Sequence, residues 1–175
     1  MLQRAEGRGF RAPLSYLPNA LLEPVRPGRA ILIAWLLSIV GSLALAAATR
    51  LLAPELATPQ FPDLPPAVLL FMLVVFAPMV ETLIMATALE LLLRLRVAAG
   101  AAIVLSTAGW AIAHSMKAAA WGLAVWWPFL IFSTLYVVWR QRSFAAAIAV
   151  PLAAHMLQNL LPAVLIASGL AAEAP

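Results

Sequence analysis

The side chains best suited to chemistry are Glu81, His114, His155 and Asn159, and all four lie inside apolar stretches. Glu81 is the most informative. In FAPMVETLIMATALELLLR (76–94) the next charge, Glu90, is nine positions on, and Arg94 is thirteen on. At about 1.5 Å per residue the acid stands roughly 20 Å from that arginine along a helix, near the middle of a hydrocarbon layer about 30 Å thick. A charge at that depth costs at least a few kcal/mol, so an intramembrane acid faces a cavity, a partner or a proton path. A protonated glutamic acid bonded to a neighbouring helix is the plain structural alternative.

Only two histidines occur, both in apolar runs. His114 closes WAIAH (110–114), one helical turn after Trp110. His155 opens HMLQN (155–159), and its i,i+4 spacing from Asn159 puts the two on one helix face. Along their helices, His155 is about as far from the basic ends as Glu81, with His114 and Asn159 roughly 6 Å further. Four polar groups on three spans at similar depth can converge on one site. Taken singly, each histidine reads as an interhelical hydrogen bond, contributing about 0.6–2 kcal/mol in a membrane.

The chemistry of the set is concrete. A shielded carboxylate takes a proton from water and makes a nucleophile without a covalent intermediate. One histidine shares or relays that proton. A second histidine and an amide N–H stabilise the oxyanion formed when water attacks a peptide carbonyl. Glutamate and two histidines also suit zinc, but no H-E-x-x-H occurs. No G-x-S-x-G marks Ser106, Ser115 or Ser133 as a nucleophile. Neither a metal nor a cofactor is assigned.

The rest of the chain explains how such residues are held. Of 175 residues, 65% are hydrophobic and 10% charged, with a mean hydropathy of +0.99. These values exclude an ordinary soluble domain and predict an all-α, polytopic transmembrane helical bundle. In such a chain a net charge of +4 reports topology and not nucleic-acid binding. With no cysteine there is no disulfide framework and no thiol nucleophile.

Residues 1–29 carry five arginines and four prolines and are expected to form a cytosolic basic lead-in. Its Leu14, Tyr16, Leu17, Leu21 and Leu22 would let a short piece lie on the membrane surface. The basic region and the apolar run after it are both too long for a cleaved signal peptide. Residues 30–175 are expected as one transmembrane domain of five spans, at 31–49, 67–93, 97–116, 121–139 and 143–170. Pro78, one turn before Glu81, is placed to kink the second span. Glu90 and Arg94 stand i,i+4 and read as an interfacial ion pair. Small residues along the third span allow close packing, and Trp126 and Trp127 are expected in the core. With the N-terminus inside, nine of the 11 Lys and Arg fall on cytosolic segments, leaving only Arg50 and Lys117 outside. The positive-inside bias therefore predicts N-in, C-out.

These residues resemble a known family, the CAAX-protease and bacteriocin-processing membrane proteases, also called type II CAAX prenyl endopeptidases or ABI proteins. Its first motif, Glu-Glu-x-x-x-Arg after a proline, is similar to PMVETLIMA through Pro78 and Glu81. Its Phe-x-x-x-His resembles WAIAH, with Trp110 in the aromatic place and His114 as the histidine. Its His-x-x-x-Asn/Asp is matched by His155 and Asn159. The similarity spans residues 67–162 in the family's order. It implies a metal-independent glutamate-type intramembrane endopeptidase in which Glu81 and His114 activate water, while His155 and Asn159 form the oxyanion site. The family trims C-terminal peptides of lipidated proteins, matures or resists bacteriocins, and processes some sorting tails.

The departure lies in the first motif, where Thr82 replaces the second Glu and Ala86 the Arg. Losing both members of an i,i+4 pair leaves no unpaired buried charge. It also leaves nothing cationic on this helix to hold Glu81 ionised, so activity is expected to rise toward alkaline pH. The leading expectation is an intramembrane endopeptidase acting near the C-terminus of a membrane-associated peptide or protein, multi-pass in a bacterial inner membrane. Its partners would be that substrate and the bilayer, with no nucleic acid. A catalytically silent bundle acting as an immunity or assembly factor is the second expectation. A proton-coupled carrier is the third, with little in five spans and one acid to support alternating access.

Overall fold

The computed structural model describes residues 17–169. Its elements are α1 (Asn19–Leu22), α2 (Pro27–Leu52), α3 (Pro66–Arg94), α4 (Ala99–Ser115), α5 (Ala119–Trp139) and α6 (Phe144–Ala167). No strand occurs among the described residues. Proline stands at the start of both α2 and α3, where its fixed φ suits the first turn and its missing N–H would have had no partner. Ser143 caps α6 by accepting a hydrogen bond from Ala146 N at 3.1 Å.

Two local irregularities shape the ends of α3. Residues Met72–Phe76 form a π-helical turn between Pro66–Phe71 and Ala77–Arg94. Pro78 removes one backbone donor, and the widened turn just before it takes up that break. At the other end, Arg96 adopts φ 62°, while Arg96 N donates to Leu93 O and Val97 N to Leu92 O. This is a Schellman ending with an arginine in the left-handed position that glycine usually takes.

Four helices (α2, α3, α5 and α6) are long and apolar enough to cross a membrane. The fifth expected span is α4, which has 17 residues. Its length of about 26 Å is short of the hydrocarbon thickness, because the Arg96 turn delays its start and Met116–Lys117 ends it. Helix α5 lies at the centre, with 61% of its most apolar window buried, whereas α2 and α3 bury 22% each. The outward faces of α2 and α3 carry Leu32, Leu36, Val40, Leu43, Leu83 and Ile84, all exposed. Apolar surface of that extent suits lipid and not water.

Two packing details differ from expectation. Leu17, Leu21 and Leu22 are buried in the main core instead of lying on a membrane surface; residues 1–16 of the lead-in fall outside the described residues. Trp127 is the inward one of the tryptophan pair, donating from Nε1 to Leu37 O at 2.8 Å. Trp126, expected in the core, is 37% exposed.

The alternating direction of the helices gives the bundle two distinct ends. At one end Glu90 accepts from Arg140 Nε at 2.6 Å and Nη2 at 2.8 Å, and from Arg94 Nε at 3.2 Å. The predicted Glu90–Arg94 pair is present, but the stronger partner is Arg140, which joins α3 to the end of α5. These hydrogen bonds from the guanidinium to Glu90 push the Arg140 pKa further up. Arg142 Nη1 donates to Val25 O at 3.4 Å, which brings the start of α2 to the same end. At the opposite end Ala120 N donates to Ala57 O at 3.1 Å, and Phe61 meets Trp121 edge-on at 5.8 Å. Those contacts hold the proline-rich α2–α3 loop against the start of α5.

Candidate functional site

Glu81 lies in the middle of α3, with its side chain 24% exposed. It lines a cavity of about 420 Å³ together with Trp110, His114 and Lys117, the Trp121 ring, and the loop residues Thr58–Gln60. That volume falls in the range of small-molecule and peptide side-chain pockets. The acid therefore faces a cavity, one of the settings that an acid within an apolar span requires.

His155 reaches the same carboxylate from α6. Its Nε2 lies 3.5 Å from Glu81 Oε2, and its Nδ1 lies 3.4 Å from Thr82 Oγ1. One imidazole thus spans two successive residues of α3. When the Thr82 hydroxyl donates to Nδ1, the ring proton sits on Nε2 and points to the carboxylate, so that each donor meets an acceptor. The ring is buried at 3% exposure, stacked on Phe132 at 4.7 Å and edge-on to Phe129 at 5.4 Å. These aromatic walls fix its plane.

His114 comes from the last turn of α4. Its Nδ1 donates to Trp110 O at 2.9 Å, since a carbonyl only accepts. In the neutral ring this leaves Nε2 as a proton acceptor. The ring packs edge-on to Trp121 at 4.7 Å and against Phe129 at 5.6 Å. Phe129 therefore lies between the two histidines, and it stacks on Trp110 at 4.5 Å.

Asn159 does not join this group. It faces the same helix as His155, as the i,i+4 spacing requires, but its Nδ2 donates to Leu73 O at 3.0 Å. Leu73 belongs to the π turn, eight residues before Glu81, or about 12 Å along the axis. The amide is thus bonded to backbone that the irregular turn exposes, and it does not line the cavity. Of the four sequence-predicted residues, the structure pairs Glu81 with His155, sets His114 on the cavity that Glu81 lines, and leaves Asn159 one layer away.

Sequence reasoning missed Thr82 and Phe129. Thr82 was read only as the loss of a glutamate, yet among the described residues its hydroxyl is the polar group that meets Nδ1 of His155. Its neighbours in the bundle show what is unusual about it. Thr87, Thr107 and Thr134 each donate to the carbonyl four residues back, at 2.7–2.8 Å. Thr82 faces the histidine instead. Phe129 carried no signal beyond following Pro128. Among the described residues, no three His, Asp or Glu side chains converge to hold a metal ion. Compared with family models, with characterised proteins and with solved structures, the chain matches none.

Proposed function

We propose that this chain is a multi-pass intramembrane endopeptidase of the glutamate type, set in a bacterial inner membrane. It would hydrolyse a peptide bond near the C-terminus of a membrane-associated peptide or protein. One observation carries the reading: the mid-helix Glu81 carboxyl opens on a cavity that His114 also lines, while His155 touches it from behind. In the reaction Glu81 takes a proton from a water molecule as the water oxygen bonds to the scissile carbonyl carbon. The resulting oxyanion would be stabilised by an N–H group of the cavity lining, which includes Lys117 and Trp121. Collapse breaks the C–N bond, and the proton taken up by Glu81 passes to the leaving amine. The likeness of the three motifs to the CAAX-protease family supports the same reading.

A second reading is a bundle that binds membrane peptides without cutting them. It is favoured by Ala86, which is 4% exposed and leaves no cation on the helix turn beside Glu81. Membranes carrying wild type or Glu81→Gln, presented with tailed membrane proteins, separate the two. Cleavage lost in the variant supports the protease, and equal processing by both overturns it. Peptide capture by both without cleavage identifies the silent binder.

A further inference from the structure

The cavity belongs to one end of the bundle, and the charges of the two ends differ. Its rim is built from the α2–α3 loop, through Thr58–Gln60, and from Lys117 in the α4–α5 turn. The loop at 53–65 carries Glu55 and Asp63 and contains no Lys or Arg. Ala57 and Phe61 tie that loop to the start of α5. The opposite end gathers the start of α2 and the two remaining turns through the Glu90–Arg140 and Arg142–Val25 bonds. There Arg26, Arg29, Arg94, Arg96, Arg140 and Arg142 account for six of the eight Lys and Arg among the described residues. Short turns rich in arginine stay on the cytosolic side.

We propose that the cavity opens on the outer, arginine-poor face of the membrane, so that its substrate is a membrane-anchored peptide tail that has already been exported. This rests on the endopeptidase reading for the word substrate, but the direction of opening stands on the position of the cavity and the arginine bias of the two ends. Lys117 at the rim and Glu81 at the floor line one continuous space. A tail entering from the outer face therefore reaches the carboxyl without crossing the bundle. A tail on the cytosolic side meets the Glu90–Arg140 clamp and the packed side chains of Tyr136 and Trp139, which are fully buried. The class of reaction that must come before this one is translocation of the tail across the membrane.

The absence of cysteine from the chain makes the test direct. Gln60→Cys at the rim and Gln141→Cys at the opposite end, both at exposed positions, are expressed separately in intact cells and treated with a membrane-impermeant maleimide. The expected result is labelling of Gln60→Cys in intact cells, and of Gln141→Cys only after permeabilisation. Any other pattern overturns the outward opening. A second arm offers wild type the same anchored tail, either exported by a secretion signal or retained in the cytosol. Cleavage confined to the exported copy agrees with the proposal, and cleavage of the retained copy overturns it. If neither copy is cut, the endopeptidase reading fails, while the labelling result still decides the direction of opening.

Discussion

Nδ1 of His155 lies 3.4 Å from the hydroxyl of Thr82, and Nε2 of the same ring lies 3.5 Å from the carboxylate of Glu81. The ring is thereby held at both nitrogens by successive residues of one helix. Both contacts are long for hydrogen bonds, so shortening them is within reach of a small movement of α6 against α3.

The first prediction follows from that pairing. Thr82→Val keeps the shape but removes the hydroxyl, so the proton on His155 is no longer directed to Nε2. A neutral hydrogen bond contributes about 1 kcal/mol, so cleavage should fall roughly five- to tenfold, with Thr82→Ser restoring most of it. Nitrogen-15 spectra of labelled histidine should show the ring tautomers redistributing in Thr82→Val and not in Thr82→Ser. An unchanged spectrum in the valine variant refutes the positioning role.

The pH dependence has a definite sign. Only the ionised Glu81 carboxylate accepts a proton from water, so cleavage should increase with pH until ionisation is complete. Rates measured between about pH 5 and 9 in one detergent or vesicle system test this. A profile that stays level across the range contradicts a carboxylate base.

Asn159 provides a contrast between structure and catalysis. If it stabilised an oxyanion, its removal would lower turnover by about 10²–10³. Its amide instead holds the π turn through Leu73 O. Asn159→Ala should therefore lower thermal stability by an amount on the order of 1 kcal/mol while turnover changes less than about tenfold. Thermal melts and single-turnover rates on the same preparation separate the outcomes.

Arg140 is predicted to matter for assembly alone. Its fork bonds to Glu90 at 2.6 and 2.8 Å, but Arg140 is 42% and Glu90 19% exposed, so solvent screening keeps the pair near about 1 kcal/mol. Arg140→Met should destabilise the bundle by about that much, and high salt should narrow the difference from wild type. A loss of cleavage larger than the loss of folded protein would contradict the assignment.

A chelator should leave cleavage unaffected. His114 and Glu81 line the cavity and His155 meets Glu81 from outside it, but no three such groups converge among the described residues. Loss of activity on dialysis against EDTA, restored by zinc, would reverse this conclusion.

The sequence alone determined the order of the four long helices and the relative level of Glu81 and His155, because helical rise turns residue count into distance along an axis. It was enough to put Glu81 and His155 at one level and to make His155 and Asn159 face the same way. It also showed that Pro78 must disturb α3, though not that the disturbance is a π turn. Rotation and lateral spacing were decided only by packing, since the same helical periods fit several ways of turning one cylinder against another. Packing brought the ring of His155 onto Glu81 and Thr82, directed Asn159 to the carbonyl of Leu73, and replaced Arg94 by Arg140 as the main partner of Glu90. It also made α4 too short to count as a full span, because the residues at its ends belong to turns that join its neighbours. Distance along a helix is local; which side chain meets which depends on every other helix in the bundle.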